Sequence, residues 1–336
     1  LLGIFFSNAF LSAFTKNQEI LAMGNIYIKI CTLLSFTIFV QIIFERIMQA
    51  TGNAIYNMVM QGAGAIINII LDPIFIFGLF GLPKMGVTGA AIATVIGQFC
   101  AMLIGYLITK VKIKDLEVKF SNFSFSSSIL KKIYKVGFPA ILIQSVLSFM
   151  TVFMNMILAP FSDIAISVFS VYYKLQNFLN MAVLGITNAL IPIIAYNYGA
   201  KRFDRVKKSI QFSLVLSIVI MAIGMLVFRI FARPLMALFS ATDEMYAIGI
   251  PALQIISLSF IFAGINVVLC SAFQALNHAN TSLFITLARQ LVFLLPLTYF
   301  LMHQFDINTG WYAFVLTEGV CAIFACIYYR KLKQSI

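Results

Sequence analysis

Apolar runs separated by short polar stretches dominate this chain. Nine can be drawn, at about 26–47, 56–79, 86–109, 136–158, 163–190, 209–231, 245–272, 282–303 and 310–329. Residues 1–8 read as the tail of another. These runs have the length of a membrane span, since a helix of about 20 apolar residues crosses the hydrocarbon core of a bilayer. The pattern therefore predicts an all-α polytopic membrane protein of nine to ten spans. Composition agrees: 62% of residues are hydrophobic, 10% are charged and the mean hydropathy is +1.00. A soluble domain is closer to half apolar and one quarter charged. A chain this apolar would expose too much greasy surface to stay in water.

The net charge of +12 suggests nucleic acid until the charges are located. They cluster in short loops and form no basic face on a folded domain. Residues 110–135 hold seven lysines, residues 201–208 hold Lys201, Arg202, Arg205, Lys207 and Lys208, and the tail holds Arg330, Lys331 and Lys333. If the spans are right these segments share one side, while Lys16, Lys84 and Arg233 fall on the other. Basic loops mark the cytoplasmic face. The linker 111–135, the loop 201–208 and the C-terminus are therefore expected in the cytoplasm, and no nucleic-acid partner is expected. The Lys- and Ser-rich linker separates residues 1–110 from residues 136–336.

The chain also repeats itself. Phe239, Glu244 and Gly249 match Phe14, Glu19 and Gly24 at an offset of 225, and Gln274, Ala275 and Ala279 match Gln49, Ala50 and Ala54 at the same offset. Six spans lie between the copies, so both have one orientation and the repeat is parallel. The partners of spans 136–158 and 163–190 would then precede residue 1. The pattern predicts an N-terminally truncated piece of a protein with two six-helix halves, short by roughly 90 residues at this repeat length. The alternative is a naturally asymmetric protein of ten spans.

Few residues offer chemistry. Asp72 lies deep in the run NIILDPIFIFG. A carboxylate at mid-bilayer costs about 2.5–3.5 kcal/mol on insertion scales, so it needs a proton, an ion or a partner. Asn68 is one turn earlier on the same face, and Pro73 frees the carbonyl of Ile69. A carboxylate, an amide oxygen and a free carbonyl suit Na⁺ or a proton; the plain alternative is a helix–helix hydrogen bond. Glu318 is a second intramembrane acid, for function or for an ion pair with Arg289. Lys174 could snorkel, neutralise an acid or meet substrate. Gln144, Ser148, Thr151 and Asn155 form a polar stripe on span 136–158, lining a cavity or bonding a neighbouring helix. Gly89, Ala93, Gly97, Ala101 and Gly105 make a close-packing face on span 86–109. The five cysteines lack CxxC spacing, which indicates neither a disulfide framework nor a metal centre. No Walker A motif or hydrolase constellation occurs, so an enzyme is not expected.

The run ATGNAIYNMVMQGAGAIINIILDPIFIFGLFGLPKMGVTGAAIATVIGQ (50–98) resembles the fourth-to-sixth-helix signature of the multidrug and toxic-compound extrusion (MATE) transporters. Residues 166–210 resemble the eighth helix and following loop of the bacterial MepA-like branch, and GFPAILIQS (137–145) resembles the start of the seventh. The resemblance implies two six-helix lobes around a V-shaped cavity, with residues 1–110 covering the end of helix three to helix six and residues 136–336 covering helices seven to twelve. It implies cation-driven export of organic, often cationic drugs across the bacterial cytoplasmic (inner) membrane. Its amino-lobe cation site falls on Asn68 and Asp72, as a possible Na⁺ site, with Thr94 in helix six. Some members use acids in helices seven and ten, where this chain offers Gln144 and no carboxylate.

The leading expectation is a Na⁺- or H⁺-coupled antiporter that needs no cofactor beyond the coupling ion. It would act as a monomer in membrane lipid on small organic substrates. A flippase for lipid-linked or polysaccharide cargo is the runner-up and should line its cavity with several basic residues; Lys174 and Arg289 are the only candidates. A non-transporting scaffold would not need Asp72.

Overall fold

In the computed structural model, which describes residues 2–12, 18–113 and 125–335, the described residues are helical and include no strand. Phe14, Lys16, Lys114, Lys119 and most of the linker, which carried parts of the repeat and charge arguments, lie outside them. The chain divides into two compact units, Leu1–Ser124 and Phe125–Ile336.

The first unit contains α1 (Leu2–Ser12), α2 (Gln18–Leu33), α3 (Phe36–Ala50), α4 (Ala54–Phe77) and α5 (Val87–Lys112). The second contains α6 (Ser127–Leu158), α7 (Asp163–Gly199), α8 (Phe203–Ile230), the short α9 (Ala232–Ala237), α10 (Asp243–Ile256) and α11 (Phe260–Ala275). It ends with α12 (Ala279–Leu287), α13 (Leu294–Gln304), the single turn α14 (Ile307–Gly310) and α15 (Tyr312–Ser335). Eight helical stretches are long and apolar enough to cross a membrane, and the bent pair α2–α3 makes a ninth. Large apolar side chains stand exposed along them, among them Phe39, Ile69, Phe178, Phe212 and Phe324. Such a surface belongs in lipid rather than water.

Four boundaries differ from the hydropathy reading. The span expected at 26–47 is two helices meeting at a 50° bend. Thr32, Ser35 and Thr37 cluster there, with their hydroxyls bonded to the carbonyls of Ile28, Thr32 and Leu34, and such back-bonding bends helices. The linker is shorter than 111–135, because α5 runs to Lys112 and α6 starts at Ser127. Ser126 caps α6, its Oγ accepting from the Ile129 N–H, and the lysines beyond are good helix formers; hydropathy sees only the part inside the membrane. For the same reason α7 continues past the expected end at 190, to Gly199. At 37 residues it is about 56 Å long at 1.5 Å per residue, so it projects beyond a hydrocarbon core of about 30 Å. Finally, the span expected at 282–303 is interrupted by a π-helical segment, Ala288–Phe293, between α12 and α13.

The repeat is visible in the backbone. The break between α2 and α3 is matched by the 3₁₀ turn Ser257–Ser259 between α10 and α11. The turn after α3 and the turn after α11 share their bonds: the Asn53 N–H donates to Met48 O at 2.8 Å, and the His278 N–H to Phe273 O at 2.7 Å. Helices α4 and α12 then start at Ala54 and Ala279, a pair already matched by the sequence repeat.

Candidate functional site

In the first unit, α4 and α5 pack through glycine. A Cβ on Gly97 would sit 2.8 Å from the Gly64 carbonyl oxygen and 3.0 Å from Asn68 Cβ, and one on Gly89 would meet the Phe75 main chain at 2.6 Å. The small-residue face read from the sequence is therefore the α4–α5 contact, and it fixes where Asn68 and Asp72 stand. Asn68 Nδ2 donates to Asp72 Oδ1 at 3.4 Å, one turn apart on α4, and both residues are half-buried. Asn68 is the one hydrogen-bond partner of Asp72 among the described residues. Pro73 lies inside α4 and leaves the Ile69 carbonyl without its helical donor.

Thr94 lies on α5 between the two glycine contacts at Gly89 and Gly97. Its hydroxyl, however, donates to Ala90 O of its own helix at 2.9 Å, and no described hydrogen bond joins it to Asp72. The unit thus assembles a carboxylate with an amide and a main-chain carbonyl nearby, while Thr94 is bonded within its own helix.

The second unit holds a partly open cavity of about 170 Å³ lined by Tyr172, Asn177 and Asn180 of α7, Arg289 and Gln290 of the π segment, and Glu318 of α15, among others. One water needs roughly 10–15 Å³ on this measure, so the space suits a small group of waters rather than a drug-sized molecule. On its wall Arg289 Nη1 pairs with Glu318 Oε2 at 3.2 Å, each side chain 12% exposed. Asn266 of α11 adds two bonds, from Nδ2 to the same Glu318 Oε2 at 2.8 Å and to the Glu318 main-chain oxygen at 3.1 Å. Four buried polar atoms around the pair have no partner among the described residues: Tyr172 OH, Asn266 Oδ1, Gln290 Oε1 and Thr317 Oγ1. Buried polar groups usually have a partner, and three of these atoms belong to Tyr172, Gln290 and Thr317, which line the cavity.

Of the two readings of Glu318, the ion pair with Arg289 is present. The sequence did not single out Asn266, although a polar residue inside FIFAGINVVLC was the signal for it. The stripe on α6 lies elsewhere. Its neighbours Leu147 and Met150 face the cavity, while Gln144 and Ser148 are exposed. Thr151 bonds back to Leu147 O at 3.1 Å, and Asn155 Oδ1 is buried without a partner among the described residues. Lys174 also stays outside the lining, its Nζ 5.8 Å from the centre of the Phe239 ring. Groups of three or more metal-binding side chains are absent among the described residues.

Residues 1–74 and 139–300 match the MatE family. The multidrug export protein MepA of Staphylococcus haemolyticus is 25% identical over 331 residues, covering 98% of this chain and 72% of that protein. MepA of a Staphylococcus aureus strain is 24% identical over 339 residues, covering 100% of this chain and 73% of that protein. Solved structures share the fold. An outward-facing multidrug resistance MATE family transporter of the MOP superfamily superposes with a TM-score of 0.90 at 22% identity, over 99% of this chain and 74% of that one. A MATE transporter from Vibrio cholerae gives 0.89 at 23%, over 99% and 75%. A MOP superfamily transporter from Pyrococcus furiosus gives 0.89 at 21%, over 98% and 73%.

Proposed function

Since the chain belongs to the MatE family, we propose that it exports drug-like organic compounds, many of them cationic, across the bacterial cytoplasmic membrane in exchange for Na⁺ or H⁺. The observation that carries this reading is Asp72. It is an acid within the membrane-spanning helix α4 whose described hydrogen-bond partner, Asn68, is neutral. An exchanger must bind its cation in one state and lose it in another. An intramembrane carboxylate does this when its charge is tolerable only beside a proton, a Na⁺ ion or a cationic substrate. Asn68 and the Ile69 carbonyl supply neutral oxygens, and Thr94, on the helix packed against α4, is a further hydroxyl to test.

The protein works in this scheme as a monomer in lipid, with the basic segments between α5 and α6, between α7 and α8 and at the C-terminal end of α15 in the cytoplasm. The flippase reading is weaker, because Arg289 is neutralised by Glu318 and Lys174 lies over Phe239. That leaves Lys174, which is exposed, as a single candidate where an anionic lipid-linked sugar calls for several. A passive scaffold gives Asp72 no task.

The test is Asp72→Asn in the full-length protein, reconstituted in proteoliposomes with an imposed ion gradient and a fluorescent organic cation as cargo. Gradient-driven export should disappear while expression and insertion stay near parental. Export at the parental rate with the same gradient dependence would sink the assignment.

A further inference from the structure

We infer that Arg289 is a tethered cation that permanently fills the place a free coupling ion would take beside Glu318, so that the second unit carries its own counter-charge and takes up no coupling ion. The inference rests on the reading of Asp72 as the coupling acid. It explains why two intramembrane acids, one in each unit, do not make two ion sites.

The argument begins at the crossing of two helices. Arg289 occupies the position that matches Gly64 at the offset of the repeat. In the first unit Gly64 of α4 meets Gly97 of α5, with no space for a side chain on either. In the second unit the corresponding helix brings Arg289 to Glu318 of α15. At the same offset Glu318 matches Ala93 of α5, so a crossing built of small residues in one unit carries an ion pair beside a cavity in the other. The backbone is altered at that place. Arg289 is the second residue of the π segment Ala288–Phe293, and a π turn inserts one residue into a helix and re-aims the side chains on it.

The charge balance differs between the units in the same sense. Asp72 has a neutral hydrogen-bond partner and needs a cation from outside. Glu318 has a guanidinium at 3.2 Å and an amide at 2.8 Å on the same oxygen. A guanidinium stays charged throughout the accessible pH range, so this pair does not empty and refill during a cycle. Other titratable side chains close to the pair are Tyr172 and Tyr173 of α7, Cys270 of α11 and Cys321 of α15. Their ordinary forms are neutral at pH 7, so Arg289 is the cation that balances Glu318. The unpartnered atoms around the pair are carbonyl and hydroxyl oxygens, the ligand type that would surround Na⁺ if the guanidinium were withdrawn.

The experiment reads the charge state of Glu318 by infrared difference spectroscopy at pH 7 on full-length protein carrying Asp72→Asn, which removes the signal of the other acid. Bands are assigned by their loss in Glu318→Gln. With Arg289 present, no protonated-carboxyl band from Glu318 should appear, with or without Na⁺. In Arg289→Gln the band should appear without Na⁺ and weaken as Na⁺ is added or pH is raised, while Arg289→Lys should resemble the parent. In proteoliposomes with Asp72 intact, Arg289→Gln should make export depend more steeply on the coupling cation, shifting the apparent order from about one towards two. A protonated Glu318 beside Arg289 would overturn the inference, and that measurement needs no substitution at Arg289 and survives a variant that fails to fold. An Arg289→Gln protein that folds and shows neither the band nor Na⁺ sensitivity would also overturn it. Failure of the Asp72 reading looks different: Asp72→Asn alone would keep exporting, whatever the Glu318 band does.

Discussion

Gly52 and Asn277, equivalent positions in the repeat, hold the same left-handed backbone conformation, with φ of 77° and 65°. Each lies in the turn that joins two spans of the repeat. The Gly52 N–H bonds Gln49 O at 3.1 Å and the Asn277 N–H bonds Gln274 O at 3.2 Å. Glycine adopts this conformation freely, and asparagine is among the few other residues that do so routinely. The two units thus keep one turn geometry with different residues that meet the same backbone demand.

Replacing Asn277 separates that demand from side-chain chemistry. Asn277→Gly should leave the thermal unfolding midpoint unchanged or slightly raised. Asn277→Val should lower it, at a cost of about 1–2 kcal/mol for a β-branched side chain in left-handed backbone. Equal midpoints for the two variants would show that the turn relaxes.

The glycine contact between α4 and α5 makes a sharper prediction, because it fixes where Asp72, the proposed coupling acid, stands. In Gly97→Ala the new methyl meets the Gly64 carbonyl oxygen at 2.8 Å, and the helices must part. Overpacking of this kind costs about 1–3 kcal/mol. The same change at Gly137, which has nothing within 4 Å of a new Cβ, should stabilise α6 by about 0.5–1 kcal/mol through helix propensity. Shifts of the thermal midpoint with opposite sign are expected, with weakened cation dependence of export in Gly97→Ala alone.

Much of this architecture is legible in the sequence because lipid imposes it. Every span must be a closed helix of a set length, so apolar runs locate the spans, and charges beyond them give a sidedness. Asp72 and Asn68 were legible for the same reason, since an ionisable group in hydrocarbon is rare and one helical turn brings its partner to it. What escaped depends on side-chain aim. The π turn at Ala288–Phe293 has no hydropathy signature, so the cavity beside it, and the use of Asn266 and Tyr172 around that cavity, could not be read from spacing. Gln144 and Ser148 share the helix with Leu147 and Met150, and nothing in their spacing tells which face of α6 meets the cavity.

Sidedness can be checked with single cysteines in an otherwise cysteine-free protein. Lys208→Cys, near the start of α8, should resist an impermeant thiol reagent in intact cells and react after permeabilisation. Phe305→Cys, between α13 and α14 and 69% exposed, should react from outside. The reverse pattern would invert the assigned orientation.

Asn68 provides the last prediction, which concerns how a neutral ligand helps an acid. Its amide donates to Asp72 Oδ1 at 3.4 Å, a long bond that leaves the amide free to rotate and offer its oxygen to a cation. A hydrogen bond to a charged group contributes about 1.5–3 kcal/mol, and each 1.4 kcal/mol is about tenfold in an equilibrium constant. Loss of this neutral partner should therefore weaken cation binding by roughly 10- to 100-fold without removing the charge that drives it. One charge crossing 100 mV is worth about 2.3 kcal/mol, close to the same amount, so a physiological membrane potential should offset much of the loss. In Asn68→Ala, the cation concentration giving half-maximal export should rise by about that factor at zero potential. It should recover towards the parental value when an inside-negative potential is imposed, with the maximal rate largely kept. Complete loss of export would make Asn68 as necessary as Asp72. An unchanged half-maximal concentration would place the cation away from Asn68, and the site would have to be sought around Thr94 instead.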